Sequence, residues 1–422
     1  MIVQKKLNNG ASVLLETVET TEVVSIGFWF NIGSGDENDT ERGLTHFLEH
    51  MVFKGTKKRT PLQIAQAIDR VGGVLNAFTE KEQTCFYCTL PSEYLELAID
   101  VLSDMIWGSI FPEEEISREK LVVINEIKAT QDSPEEVAYE LYLREMWGNH
   151  PLAAKITGEL NDIAAITKKD LLNFHKNRYK TTNLIVSIAG NFSPEQALSL
   201  LEKFLPEDRN ERDNFSPAER IAPVRKPSWK YVSGNFKQVQ LYTGITFPVS
   251  KNIQDFYSFL VFSTAFGESM SSRLFQNIRE KKGLCYSIYS LRSYFTHVAE
   301  WLIYANTSED LFTRLIESLN EEFHRLLDTF FTDMEIKNAV SHLAGGVILS
   351  KEDMENRMKR MVRQYLMIGE ILDISQSIEI LHQIEVHHIQ SIKEQYIRSE
   401  LFNLLAYGSR NLKKYRLVRF DF

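Results

Sequence analysis

The sequence has 422 residues, which is long for a single core and predicts two or three domains. Hydrophobic residues make up 43% and charged residues 25%, the composition of a soluble globular protein. With 48 basic and 57 acidic side chains the formal charge is -9. This charge argues against a general affinity for nucleic acid and favours cationic peptides as partners.

Cysteine usage points to a reducing compartment. Three cysteines are an odd number in a long chain and do not describe a disulfide framework. Cys85 and Cys88 form a C-x-x-C pair, but they lie in a run of β-forming residues. Their side chains would point to opposite faces of a strand, which disfavours a shared metal or redox role.

The sequence also lacks signals for membranes and export. No uninterrupted apolar run approaches the ~18 residues that a membrane-spanning helix needs. The N-terminal residues contain neither the apolar core of a secretion signal nor an Arg-rich amphipathic presequence. We therefore expect a soluble protein in the cytoplasm, with no membrane association.

The first half carries both strand and helix signals. Asn8, Asn9 and Gly10 sit between two short alternating runs and predict a hairpin turn, followed by a strand over residues 23–32. Three helix starts follow, each with a proline at or next to its first turn and polar or acidic residues behind it; the prolines are Pro61, Pro112 and Pro134. The pattern indicates a mixed α and β domain.

A change of composition divides the chain almost in half. Residues 209–228 are charged, rich in proline and poor in apolar periodicity, which predicts an exposed linker between an N-terminal domain, 1–208, and a C-terminal domain, 229–422. The second half begins with a strand-like run at 238–247 and continues into long helical stretches such as 313–329. Both halves show strand, strand and helix in the same order, which suggests duplication.

A metal motif lies in the first half. On a helix, His46 and His50 are one turn apart on one face, the spacing that two imidazoles need to hold one zinc ion. Glu49 borders that face and can reach a water on the metal without being a ligand. The order H-x-x-E-H inverts the H-E-x-x-H motif of zinc peptidases. A metal that lowers the pKa of water and a carboxylate that moves its proton are the groups that peptide hydrolysis needs. The alternative is two solvated helix histidines beside an ordinary glutamate.

A catalytic zinc needs a third protein ligand. Glu119 and Glu126 lie two turns apart on one face of a predicted apolar helix, an unusual place for carboxylates. Glu126 as ligand and Glu119 as the residue that orients a ligand is a coherent division of roles. Spacing alone leaves open that both are solvated side chains.

The motif at residues 46–56 and the run at 123–127 together resemble the pitrilysin or insulinase-like metallopeptidases, most closely the small subunits related to mitochondrial processing peptidase. The resemblance covers nearly the whole chain. It implies one Zn²⁺ per chain, Glu126 as third ligand and Glu119 as its support. The implied fold is α+β, with two similar domains per chain, each a sheet packed with helices, forming half of a dimeric clamshell.

The resemblance also implies substrate-binding residues. The run at 72–79 looks like the family's active-site edge strand, in which Asn76, Ala77 and Phe78 hold an extended peptide by strand addition. Without the resemblance, this run is a turn and a plain strand. Glu136 and Glu140 occupy the place where processing peptidases recognise an arginine, although a glutamate stands at 140 where aspartate is expected. A solvated acidic helix face is the alternative.

In the second half, the run at 271–286 matches the family's Arg and Tyr pair, here Arg279 and Tyr286, which reach the substrate beside the zinc in full-length members. Read alone, they are a helix-surface arginine and a buried tyrosine. A homodimer could supply them in trans. The sequence thus predicts a homodimeric zinc endopeptidase for extended or unfolded, preferably basic, peptides. The alternatives are a non-catalytic scaffold subunit of the same fold or the catalytic half of a heterodimeric processing peptidase.

Overall fold

The computed structural model of the protein describes residues 2–207, 220, 222–223, 227–408, 412–415 and 420–422. Within them the chain forms two compact units. Unit 1 comprises Met1–Ala129, Ala154–Arg220 and Ser350–Leu366, and unit 2 comprises Thr130–Ala153, Ile221–Leu349 and Met367–Phe422. Most of the predicted linker, 209–228, lies outside the described residues.

The first half of the chain contains six strands and eight helices among the described residues. The strands are β1 (Ile2–Lys6), β2 (Ser12–Thr17), β3 (Val23–Phe30), β4 (Val74–Thr79), β5 (Thr84–Pro91) and β6 (Leu184–Gly190). The helices are α1 (Leu44–Met51), α2 (Pro61–Asp69), α3 (Leu95–Trp107), α4 (Glu113–Gln131), α5 (Pro134–Trp147), α6 (Leu160–Ala165), α7 (Lys168–Arg178) and α8 (Pro194–Phe204).

The described second half contains five strands and six helices. The strands are β7 (Trp229–Ser233), β8 (Gln238–Pro248), β9 (Ser287–Tyr294), β10 (Val298–Ser308) and β11 (Asn403–Gly408). The helices are α9 (Ile253–Ser263), α10 (Phe312–Asp328), α11 (Asp333–Ser350), α12 (Met354–Ile368), α13 (Ile374–His382) and α14 (Val386–Tyr396). Two π-helical segments, Thr264–Glu268 and Phe275–Lys281, follow α9.

The local signals in the sequence predict these elements correctly. The hairpin at Asn8–Gly10 joins β1 to β2, which pair antiparallel. At the start of α2, the Thr60 backbone N–H donates to Gln63 Oε1 at 2.8 Å and the Gln63 N–H donates to Thr60 Oγ1 at 3.3 Å, a reciprocal cap. Helices α4 and α5 begin at the residues after Pro112 and Ser133. Cys85 and Cys88 are free, buried residues of β5.

Apart from the additional edge strand β1, the two sheets share one strand order. The strand order is β1-β2-β6-β3-β5-β4 in unit 1 and β7-β11-β8-β10-β9 in unit 2. In each sheet a strand early in its half pairs parallel with the last strand, β2 with β6 and β7 with β11, while the other pairs are antiparallel. The mixed α and β, two-domain fold expected from the sequence is confirmed. The equal order of the five corresponding strands supports the suggested duplication.

Alternation along β3 shows how the sheet of unit 1 is covered. Val24, Ile26 and Phe28 belong to the main core with α1, α2 and α3. Gly27 and Trp29 face the opposite side, where Met358 of α12 packs: the Trp29 indole N–H lies 3.3 Å from its sulfur. A Cβ on Gly27 would lie 2.5 Å from that sulfur, so a larger residue here would require the Met358 side chain to move.

Helix α5 covers the sheet of unit 2 in the same way. Its apolar residues Ala138, Tyr142, Leu143 and Met146 form a buried cluster with side chains of β8, β10 and β11. Each unit therefore includes one helix from the other half of the sequence, α12 in unit 1 and α5 in unit 2. The predicted limits, 1–208 and 229–422, divide the chain at a single linker. They do not describe this exchange of helices, because each unit combines separate segments of the chain.

Among the described residues, no helix is both long enough and apolar enough to cross a membrane.

Candidate metal centre

The start of α1 is fixed by a buried carboxylate. Glu37 accepts hydrogen bonds from the backbone N–H groups of Gly43, at 2.9 Å, and Thr45, at 2.7 Å. These are amides of the first helical turn, which have no partner within the helix. Gly43 has φ +81°, and a Cβ on it would lie 2.8 Å from the carbonyl oxygen of Thr157. Glycine and Glu37 thus define where α1 begins, and with it the direction of the two histidines.

Helix α4 brings a carboxylate to the two histidines of α1. His46 Nε2 lies 3.6 Å from Glu126 Oε1, and His50 Nε2 lies 3.8 Å from Glu126 Oε2. Among the described residues, these three form the one group of His, Cys, Asp or Glu side chains whose ligand atoms all lie within 4.8 Å of one another. The three residues proposed as ligands are therefore adjacent in space.

These distances fit a shared metal better than hydrogen bonds. Separations of 3.6 and 3.8 Å exceed the usual range of an N–H···O bond. Two ligand atoms about 2.1 Å from a common tetrahedral ion lie roughly 3.4 Å apart. Two imidazole nitrogens and one carboxylate oxygen are also the donor set of a known class of catalytic zinc site. The residues present fit a zinc ion.

Glu119 orients His50. Its Oε1 accepts a hydrogen bond from His50 Nδ1 at 2.8 Å, and its Oε2 lies 2.7 Å from Lys54 Nζ. The carboxyl group is almost completely buried, with 6% of its side chain exposed. A proton held on Nδ1 leaves the Nε2 lone pair directed toward Glu126, as a metal ligand requires. Glu119 thus stands where the sequence predicted a supporting residue.

The electrostatics of the site favour neutral His46. Burial, together with the neighbouring His50, lowers the pKa of His46 to about 4, so this imidazole is neutral at neutral pH. Burial lowers the pKa of His50 as well, but Glu119 and the nearby carboxylates outweigh it and raise the pKa. Burial opposes ionisation of Glu119, while the bonds to His50 and Lys54 lower its pKa. Glu119 is therefore ionised beside Lys54.

Glu49 stands apart from the donor group. Its Oε2 accepts a hydrogen bond of 2.5 Å from Thr79 Oγ1, at the end of β4. Burial raises the pKa of Glu49 above its ordinary value, although Thr79 and His50 oppose the shift. A carboxyl group whose pKa is raised toward neutrality is suited to accept and return a proton. This is the environment that the predicted general base requires.

Thr79 and Lys54 are site residues that the sequence reading did not include. Lys54 lies one turn beyond His50, a position that could have been noticed, but a lysine after a helix is ordinary. Thr79 closes the predicted edge strand, and only the fold shows that its hydroxyl meets Glu49. Neither residue type carries a motif of its own.

The predicted substrate strand is an edge strand. β4 pairs with β5 alone among the described strands, so its other edge has no strand beside it. Asn76 is exposed, while Ala77 and Phe78 are half-buried. The end of β4 touches the site directly through Thr79 and Glu49.

The remaining predicted residues belong to unit 2. The Arg279 guanidinium lies over the ring of Tyr286, 5.6 Å from its centre, and over Phe275 at 4.5 Å. Tyr286 is 74% exposed, which rules out the reading of this side chain as a buried tyrosine. Glu136 is exposed and Glu140 half-buried on α5. The structure brings the Arg and Tyr pair together, and the roles of all four residues stay predictions.

Two α/β domains, with a His-x-x-Glu-His helix and a glutamate delivered by a neighbouring helix, are the features of zinc peptidases of the inverted-motif class. Residues 12–159 match the family described as Insulinase (Peptidase family M16), and residues 165–343 match the Peptidase M16 inactive domain. The chain belongs to peptidase family M16. The resemblance to the insulinase-like metallopeptidases is therefore confirmed.

Relatives of similar length carry zinc protease names. The chain is 30% identical to an uncharacterized zinc protease of Bacillus subtilis (strain 168), covering 98% of this chain and 100% of that protein. It is 31% identical to an uncharacterized zinc protease of Mycobacterium leprae (strain TN), covering 93% and 88%. These names agree with a metal-dependent peptidase in the broad sense.

Solved structures confirm the fold. A peptidase M16 inactive domain from Pseudomonas fluorescens superposes with a TM-score of 0.86 at 18% identity, covering 97% of this chain and 98% of that one. A protease from Helicobacter pylori gives a TM-score of 0.84 at 20% identity, covering 97% and 99%. At these identities the likeness concerns the fold alone.

We predict that Glu119→Gln weakens zinc binding about 10- to 100-fold, because the amide can present its N–H₂ to His50 and no longer fixes the metal-binding tautomer. Competition with a chelating dye measures the affinity. Glu114→Gln, on the same helix with 75% of its side chain exposed, is the matched control and should bind zinc like the wild type. Equal affinities for all three proteins would refute the supporting role of Glu119.

Proposed function

We propose that the protein is a zinc endopeptidase that hydrolyses extended or unfolded peptides, with one zinc ion on His46, His50 and Glu126 and with Glu49 as general base. The convergence of the three donor side chains beside a separately held Glu49 carries the proposal. The family membership and the names of the relatives support a zinc protease in the broad sense.

The residues of the chain divide the chemistry between them. A zinc ion bound here would act as a Lewis acid, lowering the pKa of water and polarising a peptide carbonyl. Glu49, with its raised pKa, would take the proton from the attacking water and deliver it to the leaving amine. Thr79 holds one Glu49 oxygen, which limits the carboxylate to one orientation. Glu119 keeps His50 in its ligand tautomer.

The free edge of β4 supports an extended substrate. A peptide that adds as a further strand uses backbone hydrogen bonds, which any sequence can supply, so the binding suits unfolded chains. Asn76, Ala77 and Phe78 are the residues proposed to contact it. Because β4 ends at Thr79, a strand added there would run toward Glu49.

We predict that Glu49→Gln keeps one zinc ion per chain but lowers peptide turnover by at least about 100-fold, because glutamine cannot accept the proton. Metal analysis and hydrolysis of an unfolded test peptide, on the same preparation, measure both properties. Glu19→Gln, an exposed residue between β2 and β3, is the matched control. A zinc-loaded Glu49→Gln protein with full activity would contradict the proposed mechanism.

The second half is proposed to complete the site from a neighbouring chain. Arg279 and Tyr286 pack on each other, and the exposed phenol leaves Tyr286 accessible to a substrate. A homodimer in which each chain contributes its metal group and its Arg and Tyr pair would contain two complete sites. The likeness to processing peptidase subunits motivates this arrangement.

We predict that mixing a His50→Ala protein with a Tyr286→Phe protein restores activity above that of either alone, since a mixed dimer contains one site with both groups intact. Peptide hydrolysis after subunit exchange measures the recovery, and labelled chains verify the exchange. Exchange without any recovery would exclude action in trans.

Two rival functions remain as alternatives. A non-catalytic scaffold subunit of this fold would not need both the three donor residues His46, His50 and Glu126 and a separately held Glu49, and this chain has all four. A catalytic half of a heterodimer would not need its own Arg and Tyr pair, which this chain has.

The three free cysteines favour the proposed cytoplasmic location, which cell fractionation tests.

A preference for basic peptides is proposed from the net charge of -9 and from the acidic residues of α5. We predict that the protein cleaves arginine-containing peptides faster than matched peptides in which glutamine replaces arginine, and that Glu136→Gln and Glu140→Gln reduce the difference. Cleavage mapping by mass spectrometry measures the preference. Equal cleavage of both peptides would leave α5 as a solvated acidic face.

A further inference from the structure

We propose that Arg220 is a positioning residue for the general base: it clamps together the two segments that hold Glu49 and Thr79. The proposal rests on the proposed function. Arg220 falls in the segment predicted as an exposed linker, yet only 12% of its side chain is exposed. Its guanidinium group is part of unit 1, not of a solvated connection.

The contacts of Arg220 fill both sides of the guanidinium fork. Nε and Nη2 donate to the two carboxylate oxygens of Asp36, at 2.9 and 2.8 Å. Nη1 donates to Asn31 Oδ1 at 3.0 Å, and Nη2 also reaches the backbone carbonyls of Asn31, at 3.2 Å, and Glu82, at 2.7 Å. Asp36 is 1% exposed and additionally accepts from the Gly33 N–H at 2.9 Å. The buried charges of Arg220 and Asp36 therefore compensate each other, and the further acceptors pair the remaining guanidinium donors.

Arg220 joins two segments that are distant in sequence. Asn31 and Asp36 belong to the loop between β3 and α1, and Glu82 belongs to the turn between β4 and β5. The same loop and turn are bonded directly, from the Ser34 N–H to the Glu80 carbonyl at 3.1 Å and from the Gly35 N–H to the Lys81 carbonyl at 2.6 Å. They therefore move as one body as long as the clamp holds.

The loop and the turn are in close backbone contact at Gly33. A Cβ on Gly33 would lie 2.4 Å from the carbonyl oxygen of Glu80 and 2.5 Å from the backbone nitrogen of Glu82. Both neighbours are backbone atoms, which cannot rotate away as a side chain can. Backbone contact therefore sets how closely the loop and the turn approach each other. Arg220 adds hydrogen bonds to Asp36 of the loop and to Glu82 of the turn.

Each clamped segment leads to one partner of the Thr79 and Glu49 hydrogen bond. The loop continues into α1, which carries Glu49, and the turn follows Thr79 immediately. A shift of the turn relative to the loop would lengthen the 2.5 Å bond between Thr79 Oγ1 and Glu49 Oε2 and free the carboxylate to rotate. The orientation of the general base thus depends on Arg220, which touches neither residue of the pair.

Arginine is required for this role because a single group must serve a carboxylate and three further acceptors. Lysine keeps the charge but offers one nitrogen and no fork. We therefore expect Arg220→Lys to fold and to loosen the clamp. Asn31→Ala, which removes one acceptor of the fork, is a milder second variant in case Arg220→Lys does not fold.

A double-mutant cycle with Thr79→Val tests the proposal. Arg220→Lys and Thr79→Val should each lower kcat roughly 10- to 100-fold with KM changed less than about threefold, because misplacing a reacting group by 1 Å has effects of this size. The double variant should be no slower than the slower single variant, since both changes break the same bond. Rates that multiply in the double variant would overturn the proposal.

Arg273→Lys is the matched control. Arg273 binds Glu335 through two bonds of 2.8 Å and the Phe330 carbonyl at 2.6 Å, with 5% of its side chain exposed, but it lies in unit 2. The Arg273→Lys protein should lose thermal stability as the Arg220→Lys protein does. Adding Thr79→Val to Arg273→Lys should lower kcat by the same factor as Thr79→Val lowers the kcat of the wild type. If it shares the non-additive response, the effect is general loosening and the proposal fails.

Amide hydrogen exchange separates this proposal from the proposed function. The Ser34 and Gly35 amides should exchange at least about 10-fold faster in Arg220→Lys, because opening of the loop and turn exposes them. Arg273→Lys should leave them unchanged. If the wild type hydrolyses no peptide, the proposed function fails while exchange still reports on the clamp. Unchanged exchange in Arg220→Lys and Asn31→Ala would overturn the clamp whatever the activity.

Discussion

The metal centre depends on one buried carboxylate, that of Glu119. A carboxylate in the interior is costly unless charged or polar partners surround it, and Glu119 has two, His50 and Lys54, both from the segment of α1 and the turn after it. The Glu119 carboxylate can reach both His50 and Lys54 only when α4 lies in one position along α1. That position also brings Glu126, two turns further along α4, to the Nε2 atoms of both histidines. The buried charge of Glu119, which orients His50, thus also places Glu126, the proposed third ligand.

The short-range part of the structure could be predicted because it is encoded by neighbouring residues. The reciprocal cap of Thr60 and Gln63 identifies α2, and the one-turn spacing of His46 and His50 identifies a metal face. Glu126 needed the family resemblance, because spacing on one helix does not say which helix packs beside it.

The long-range part could not be predicted, since those residues take their roles from partners distant in sequence. Glu37 is an ordinary acidic residue until the fold shows it capping α1. Arg220 stood in a charged, proline-rich run whose composition indicates exposure, yet the side chain is enclosed by acceptors from two loops. Helices α5 and α12 belong to the units opposite to their halves because their apolar faces match the other sheet, a preference that no local pattern contains.

Because the two units share the order of five strands, the helices that carry the metal group in unit 1 can be compared with their counterparts in unit 2. Counted between corresponding strands, α4 and α11 hold equivalent places, as do α5 and α12. The second half of helix α11 carries Gly345 and Gly346 and no carboxylate, and α9 has no histidine. In the described part of unit 2, no His, Cys, Asp and Glu group resembles that of unit 1. The described part of unit 2 therefore forms the same order of five strands without such a group.

A free strand edge beside the site is useful and hazardous for the same reason. Unpaired backbone groups that can accept a substrate strand can equally accept another protein chain, so exposed edges promote aggregation unless they are limited. β4 has only six residues, and Asn76 Oδ1 accepts a hydrogen bond of 2.8 Å from the Ala77 N–H, so that amide is paired without a peptide. On one face of the strand, the Phe78 ring packs against Trp29, and the Lys359 ammonium lies over the same ring. These contacts attach β4 to the rest of unit 1. A short edge offers few pairing positions to a peptide, whereas a long one would offer more. The features that protect the edge would therefore also restrict where along it a substrate strand can pair.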